Sequence, residues 1–228
     1  MLSLGVFIAL SVFLALIVLN PLRFRTRSVH TVKKLRKGDI EGFLKDIDED
    51  IRESPNEKLT NALLVNKTAG LCYKGLFEEA MIILETVEPA TLHASFKPVY
   101  YNNLTVVLLE LGRFEDARKV FAENSGLFET ATKNKDLNNA MRGTLAIYEY
   151  HLGDIELAEK IFKELTAENS DDIRASVRYF YLGCIHMKKG LNRQAEEFFA
   201  KAAQLGADTY IPSRVDEILK SYSENESQ

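Results

Sequence analysis

From about residue 59 to residue 206, apolar positions recur at steps of three and four, the spacing that gives a helix one buried stripe. Glycines punctuate this pattern. Gly75, Gly112, Gly153 and Gly190 each stand five residues before Ala80, Ala117, Ala158 and Ala195, with Leu84, Phe121, Phe162 and Phe199 four residues further on. The alanine spacings are 37, 41 and 37 residues, long enough for two short antiparallel helices and a connection. One such unit is too small to bury its own apolar face, so units must stack to build a core. Each glycine is expected to end a helix in the left-handed conformation. Seven residues before it stand Thr68, Thr105, Ala146 and Gly183, so a small side chain on the first helix can face the small alanine on the second.

Both flanks differ from the middle. Ile40, Phe43, Leu44, Ile47 and Ile51 predict one amphipathic helix, and 39–58 reads as an N-terminal cap or degenerate repeat, ended by the Ser54-Pro55-Asn56 turn. Residues 59–210 hold the four repeats. Pro212 and Ser213 open a last helix within 211–228, carrying Val215, Ile218, Leu219 and Tyr222 before a polar tail. The stretch from Gly126 to Asn139, in the longer connection, predicts an extra turn or a mobile loop.

These units resemble the tetratricopeptide repeat (TPR) family over about Leu59 to Gly206. The resemblance implies an all-α solenoid of stacked helix-turn-helix hairpins and a protein-recognition role; the lack of a catalytic or ligand-binding motif in the sequence adds the expectation of no cofactor and no enzymatic activity. Four positions depart from the family pattern: Lys67 in place of Leu, Asn192 in place of an aromatic, and Glu149 and His186 in place of Tyr or Leu. They are expected to weaken the first and last seams. In proteins of this family the first helices line a concave face that holds a peptide or partner helix. Carried onto this chain, that groove comprises Val65, Asn66, Ala69, Asn102, Asn103, Val106, Ile147, Tyr150, Val177, Phe180 and Tyr181. It is mostly apolar, with asparagines available to a partner's backbone.

Residues 2–19 contain no charge and, at about 1.5 Å per residue, are nearly long enough to cross a hydrocarbon layer of roughly 30 Å. Residues 1–20 therefore read as a transmembrane helix. The rival reading is a cleaved export signal, but no basic stretch precedes the apolar run and no small-x-small site closes it. Arg23, Arg25, Arg27, Lys33, Lys34, Arg36 and Lys37 make 21–38 a basic juxtamembrane segment. They place the array on the cytoplasmic side and touch anionic lipid headgroups.

Those seven are drawn from 29 basic residues, leaving 22 against all 33 acidic ones in the rest of the chain. An acidic array does not suit nucleic acid as a partner. Cys72 and Cys184 sit in different units without metal-ligand spacing, and the four histidines are scattered, so no metal site is predicted. No glycine-lysine phosphate loop or dinucleotide fingerprint occurs, and no small-molecule substrate is implied. Glu149, Tyr150 and His151 form the one polar cluster that an enzyme-subunit reading can use. The sequence thus predicts a membrane-anchored TPR scaffold that recruits a protein or peptide partner, with an exported TPR binding protein as the alternative. An exposed solenoid end can also stack on a second copy.

Overall fold

A computed structural model describes residues 30–131, 135–168 and 173–226. The apolar run at 2–19, the proposed span at 1–20, and Arg23, Arg25 and Arg27 lie outside these residues. Among the described residues no helix is long and apolar enough to cross a membrane.

The described chain is helical. Residues 30–36 are helical, followed by α1 (Ile40–Arg52), α2 (Glu57–Lys74), α3 (Phe77–Thr86), a 3₁₀ turn at Pro89–Thr91, α4 (Lys97–Glu110), α5 (Phe114–Glu123), α6 (Ser125–Ala131), α7 (Lys135–Leu152), α8 (Ile155–Glu168), α9 (Ile173–Lys188), α10 (Asn192–Leu205) and α11 (Ile211–Glu226). Four hairpins, α2/α3, α4/α5, α7/α8 and α9/α10, stack so that α2, α4, α7 and α9 contact one another in series.

The seams close as the small residues demand. Ala80, Ala117, Ala158 and Ala195 are fully buried, and so are Thr68, Thr105 and Ala146 opposite them. At Gly183 a methyl group would fall 2.5 Å from the Phe199 ring. Leu84, Phe162 and Phe199 fill the space that follows, each stabilising the fold by about 2–3 kcal/mol through lost apolar exposure.

Three of the four turn glycines behave as expected. Gly75, Gly112 and Gly190 have φ of 75°, 70° and 72°, and the next N–H reaches back into the helix (Leu76 to Leu71, Arg113 to Leu108, Leu191 to His186, 2.8–3.0 Å), which satisfies carbonyls that the helix end leaves open. Gly153 corrects the expectation, because its φ is not positive. Its requirement is room: a Cβ there would lie 2.0 Å from a Glu149 carboxylate oxygen. That carboxylate instead accepts the Asp154 N–H at 2.8 Å, and Asp154 Oδ1 accepts the N–H groups of Glu156 and Leu157. Two side chains thereby cap one turn.

The other departures from the repeat pattern also have partners. Lys67 pairs with Asp48 of α1 at 2.6 Å. Asn192 donates to the Tyr222 hydroxyl of α11 at 2.8 Å. His186, 4% exposed, meets the Glu159 carboxylate at 2.8 Å. Lys67 and Asn192, at opposite ends of the array, thus hold the flanking helices on. Helix α1 seats Ile40, Phe43 and Ile47 in the core, and Gly70 lets Phe43 approach α2 closely. Its N-terminus is capped by Asp39, which accepts from Gly42 N–H.

The longer connection contains α6 where the sequence suggested an extra turn or mobile loop. Phe128, Ala131 and Met141 are buried around it, and Phe121 stacks between Phe128 and Tyr148 at centroid distances of 5.2 and 4.5 Å. With α4, α5 and α7 it borders an open pocket of about 280 Å³, walled in part by Phe121, Phe128, Met141 and Leu145.

Candidate functional site: the inner face of the array

The first helices present one common face, and the eleven groove candidates divide on it. Val65, Asn102, Asn103, Ile147, Phe180 and Tyr181 are buried, whereas Asn66, Ala69, Val106, Tyr150 and Val177 keep partial exposure. Asn103 Nδ2 donates to the Val65 carbonyl and to the Thr68 hydroxyl, both at 3.0 Å. Asn102 Oδ1 accepts from the Thr144 hydroxyl at 2.6 Å. These amides bridge the first three units to one another, which corrects the expectation that they stand available to a partner. The reason is burial: an amide out of reach of water must find protein partners.

Nearer the turn end, the C-terminal portions of the first helices converge on a polar and aromatic cluster. Glu110 ends α4, and its Oε1 accepts the Tyr181 hydroxyl of α9 at 2.5 Å. Burial pushes the Glu110 carboxyl up, against the opposing pull of Tyr181 and Arg214. Tyr150 of α7 packs edge-on against Tyr181 at 5.0 Å, and Lys188 Nζ lies 3.9 Å from the Tyr150 ring centroid, a cation–π contact at the surface. His151 has its ring 5.6 Å from Phe114 and 3.4 Å from the Tyr181 hydroxyl. Its pKa is lowered to about 4 by burial and by Lys188.

The Cys72 and Cys184 thiols are pushed up to about 12, mainly by burial, so neither is a nucleophile at neutral pH. Glu149, the acid of the polar cluster suggested by the sequence, is engaged in capping a helix. Among the described residues no group of three His, Cys, Asp or Glu side chains is placed to hold a metal ion. What the face offers is aromatic rings, a half-buried carboxylate and a lysine, separated by apolar patches.

Sequence reasoning missed Glu110, Lys188, Tyr210 and Arg214. Glu110 carried a readable signal, since a carboxylate in the last turn of a helix opposes the helix dipole and needs another reason to be there. Tyr210 carried none: its N–H donates to the Tyr73 carbonyl at 3.1 Å, joining the segment after the last hairpin to the end of α2.

Of the basic residues expected at a membrane surface, Lys34 pairs with Asp46 of α1 at 2.7 Å, while Lys33, Arg36 and Lys37 are exposed.

Compared with known proteins, residues 51–208 match the family model described as the SusR N-terminal TPR domain. No curated protein and no solved structure matches the chain.

Proposed function

Since this chain belongs to the SusR N-terminal TPR domain family, we propose that it is a scaffold whose inner face recruits a protein segment, held at the cytoplasmic surface of a membrane by residues 1–20. The observation that carries the reading is the series of four first helices sharing one face, with Tyr150, Val177 and Lys188 left accessible on it. A face of this kind engages a partner through aromatic and apolar anchors. Tethering to a membrane raises the partner's effective concentration there. The uncharged run at 2–19 and the seven basic residues that follow support the anchor and its orientation.

Affinity capture from native membranes tests the recruitment. The wild-type chain should retain a protein that the Tyr150→Ala/Lys188→Glu variant loses while keeping its helical circular-dichroism spectrum. Retention of the same proteins by both would remove the inner face from consideration. The anchor is tested separately, by sequencing the mature N-terminus of membrane-bound protein. An intact Met1-Leu2-Ser3 start agrees with it, and a processed terminus points to the exported form instead.

A further inference from the structure

The pocket beside α6 is built where the repeat departs from its own spacing. Between the second and third units the alanines stand 41 residues apart instead of 37, and α6 takes up part of the longer connection. Phe128 of α6 and Met141 of α7 are buried in its wall, and Phe121 and Leu145 extend the apolar surface. The aromatic wall is held from behind, because the Phe121 ring stacks on Tyr148 with an interplanar angle of 18°. Apolar walls that stand open to water forgo the stabilisation a filled seam would bring, and an apolar occupant restores it.

Two buried polar side chains interrupt this lining. Asn102 and Thr144 are 9% and 4% exposed, and the Thr144 hydroxyl donates to Asn102 Oδ1 at 2.6 Å. With its proton committed, the threonine oxygen still has lone pairs with which to accept. The pocket therefore sets a hydrogen-bond acceptor among aromatic and aliphatic groups. It does not select for negative charge. Arg142 on the rim gives its Nη1 and Nη2 groups to Glu168 and Glu164 of α8 at 2.8 and 2.6 Å, which neutralises the cation that an anionic ligand would use, and Glu129 stands on the same rim.

Size narrows the occupant further. A cavity of about 150 Å³ holds one benzene ring, whereas clefts for drug-sized molecules begin at about 300 Å³. At about 280 Å³ the pocket has room for two fused rings. We propose that it binds an uncharged, planar, two-ring aromatic group with a single hydrogen-bond donor, the chemistry of indole. The rings lie against Phe121 and Phe128, the Met141 thioether makes a sulfur–aromatic contact, and the ring N–H is accepted by the Thr144 hydroxyl. A free small molecule and a partner's tryptophan side chain share this chemistry. A second copy of the chain does not, since it contains no Trp. Tyr150 and Lys188 are not among the lining residues, so the site stands apart from the recruiting surface proposed above.

The test uses the full chain labelled with carbon-13 at the methionine methyl groups, Met1, Met81, Met141 and Met187, of which Met141 lines the pocket. Indole should shift the Met141 methyl resonance saturably and leave Met81 and Met187 in place. Benzofuran, of the same shape without the N–H, should bind about fivefold more weakly, as the loss of one hydrogen bond requires. Thr144→Val should erase that preference and Thr144→Ser should keep it; if the valine variant does not fold, the ratio of the two ligands on wild type decides. N-acetyltryptophanamide separates the two sources. A Met141 shift at the affinity of indole or tighter assigns the ring to a partner's side chain, and no shift assigns it to a free molecule. A Met141 resonance that stays still or drifts linearly together with those of Met81 and Met187, or equal affinity for indole and benzofuran, overturns the proposal. Protein capture that depends on Tyr150 and Lys188 is a separate result and stands or falls without it.

Discussion

The Glu149 carboxylate passes over Gly153 to accept the Asp154 N–H at 2.8 Å, so an acidic side chain and a missing one form a single device. A methyl group at 153 would occupy the place of the carboxylate. Gly153→Ala should therefore destabilise the protein by about 1–2 kcal/mol, the value of a displaced cap. In a Glu149→Ala background the same change should be neutral or stabilising by about 0.5 kcal/mol, because the backbone at 153 is one that alanine tolerates. Urea unfolding of the four chains gives the coupling directly, and additive effects would show that the two residues act independently.

Two further glycines should respond to one substitution with opposite signs. Gly183→Ala forces a methyl group into the Phe199 ring and should cost about 1–3 kcal/mol through overpacking. Gly143, inside α7, has nothing within 4 Å of an added Cβ, and Gly143→Ala should stabilise by about 0.5–1 kcal/mol through helix propensity. Thermal melts of the two variants should move in opposite directions from wild type.

His151 sets a pH dependence between about 6.5 and 4. Its folded-state pKa of about 4 lies below the ordinary 6.5, so as pH falls through this window the unfolded chain takes up a proton that the folded chain refuses. Stability present above about pH 6.5 should fall on acidification toward pH 4. In His151→Gln the loss of stability between pH 7 and pH 5, followed by urea titration, should be smaller than in wild type. An unchanged profile would separate His151 from the effect.

Glu159 acts in a lower window. Burial raises its pKa, but hydrogen bonds from Lys163, Lys189 and His186 outweigh that and hold the carboxyl down to about 2. A depressed carboxyl contributes stability above its unfolded pKa of about 4.5, which is lost as pH falls from there toward 2. The full contribution is on the order of 3 kcal/mol. Glu159→Gln should be less stable than wild type at pH 7, with the gap narrowing toward pH 2; a constant gap would assign the loss to packing alone.

The hairpins, their turns and the buried alanines were legible in the sequence because each depends on residues close together in the chain. Gly75, Ala80 and Leu84 report a turn, a seam and a core position within ten residues. The four departures were legible only as anomalies. Lys67, Glu149, His186 and Asn192 look like defects when each position is compared with a pattern, and their partners Asp48, Asp154, Glu159 and Tyr222 follow from no repeat rule. The inner face shows the same division. Its helices could be named from periodicity, whereas the amide bridge from Val65 to Thr144 depends on how neighbouring units rotate when they stack. Helix α6 lay in a stretch too short to display a helical period.

The hydrogen bond between Tyr210 and Tyr73 also bears on how this chain can evolve. A solenoid with free ends tolerates duplication or deletion of a unit, because growth only lengthens it. Here the segment after the last hairpin touches the first, and one more hairpin of about 37 residues would add helix layers about 10 Å apart and carry the two tyrosines out of reach. Gene-level expansion, the ordinary route by which repeat proteins diversify, would undo the contact, so this bond belongs to an array with the four described hairpins between Tyr73 and Tyr210.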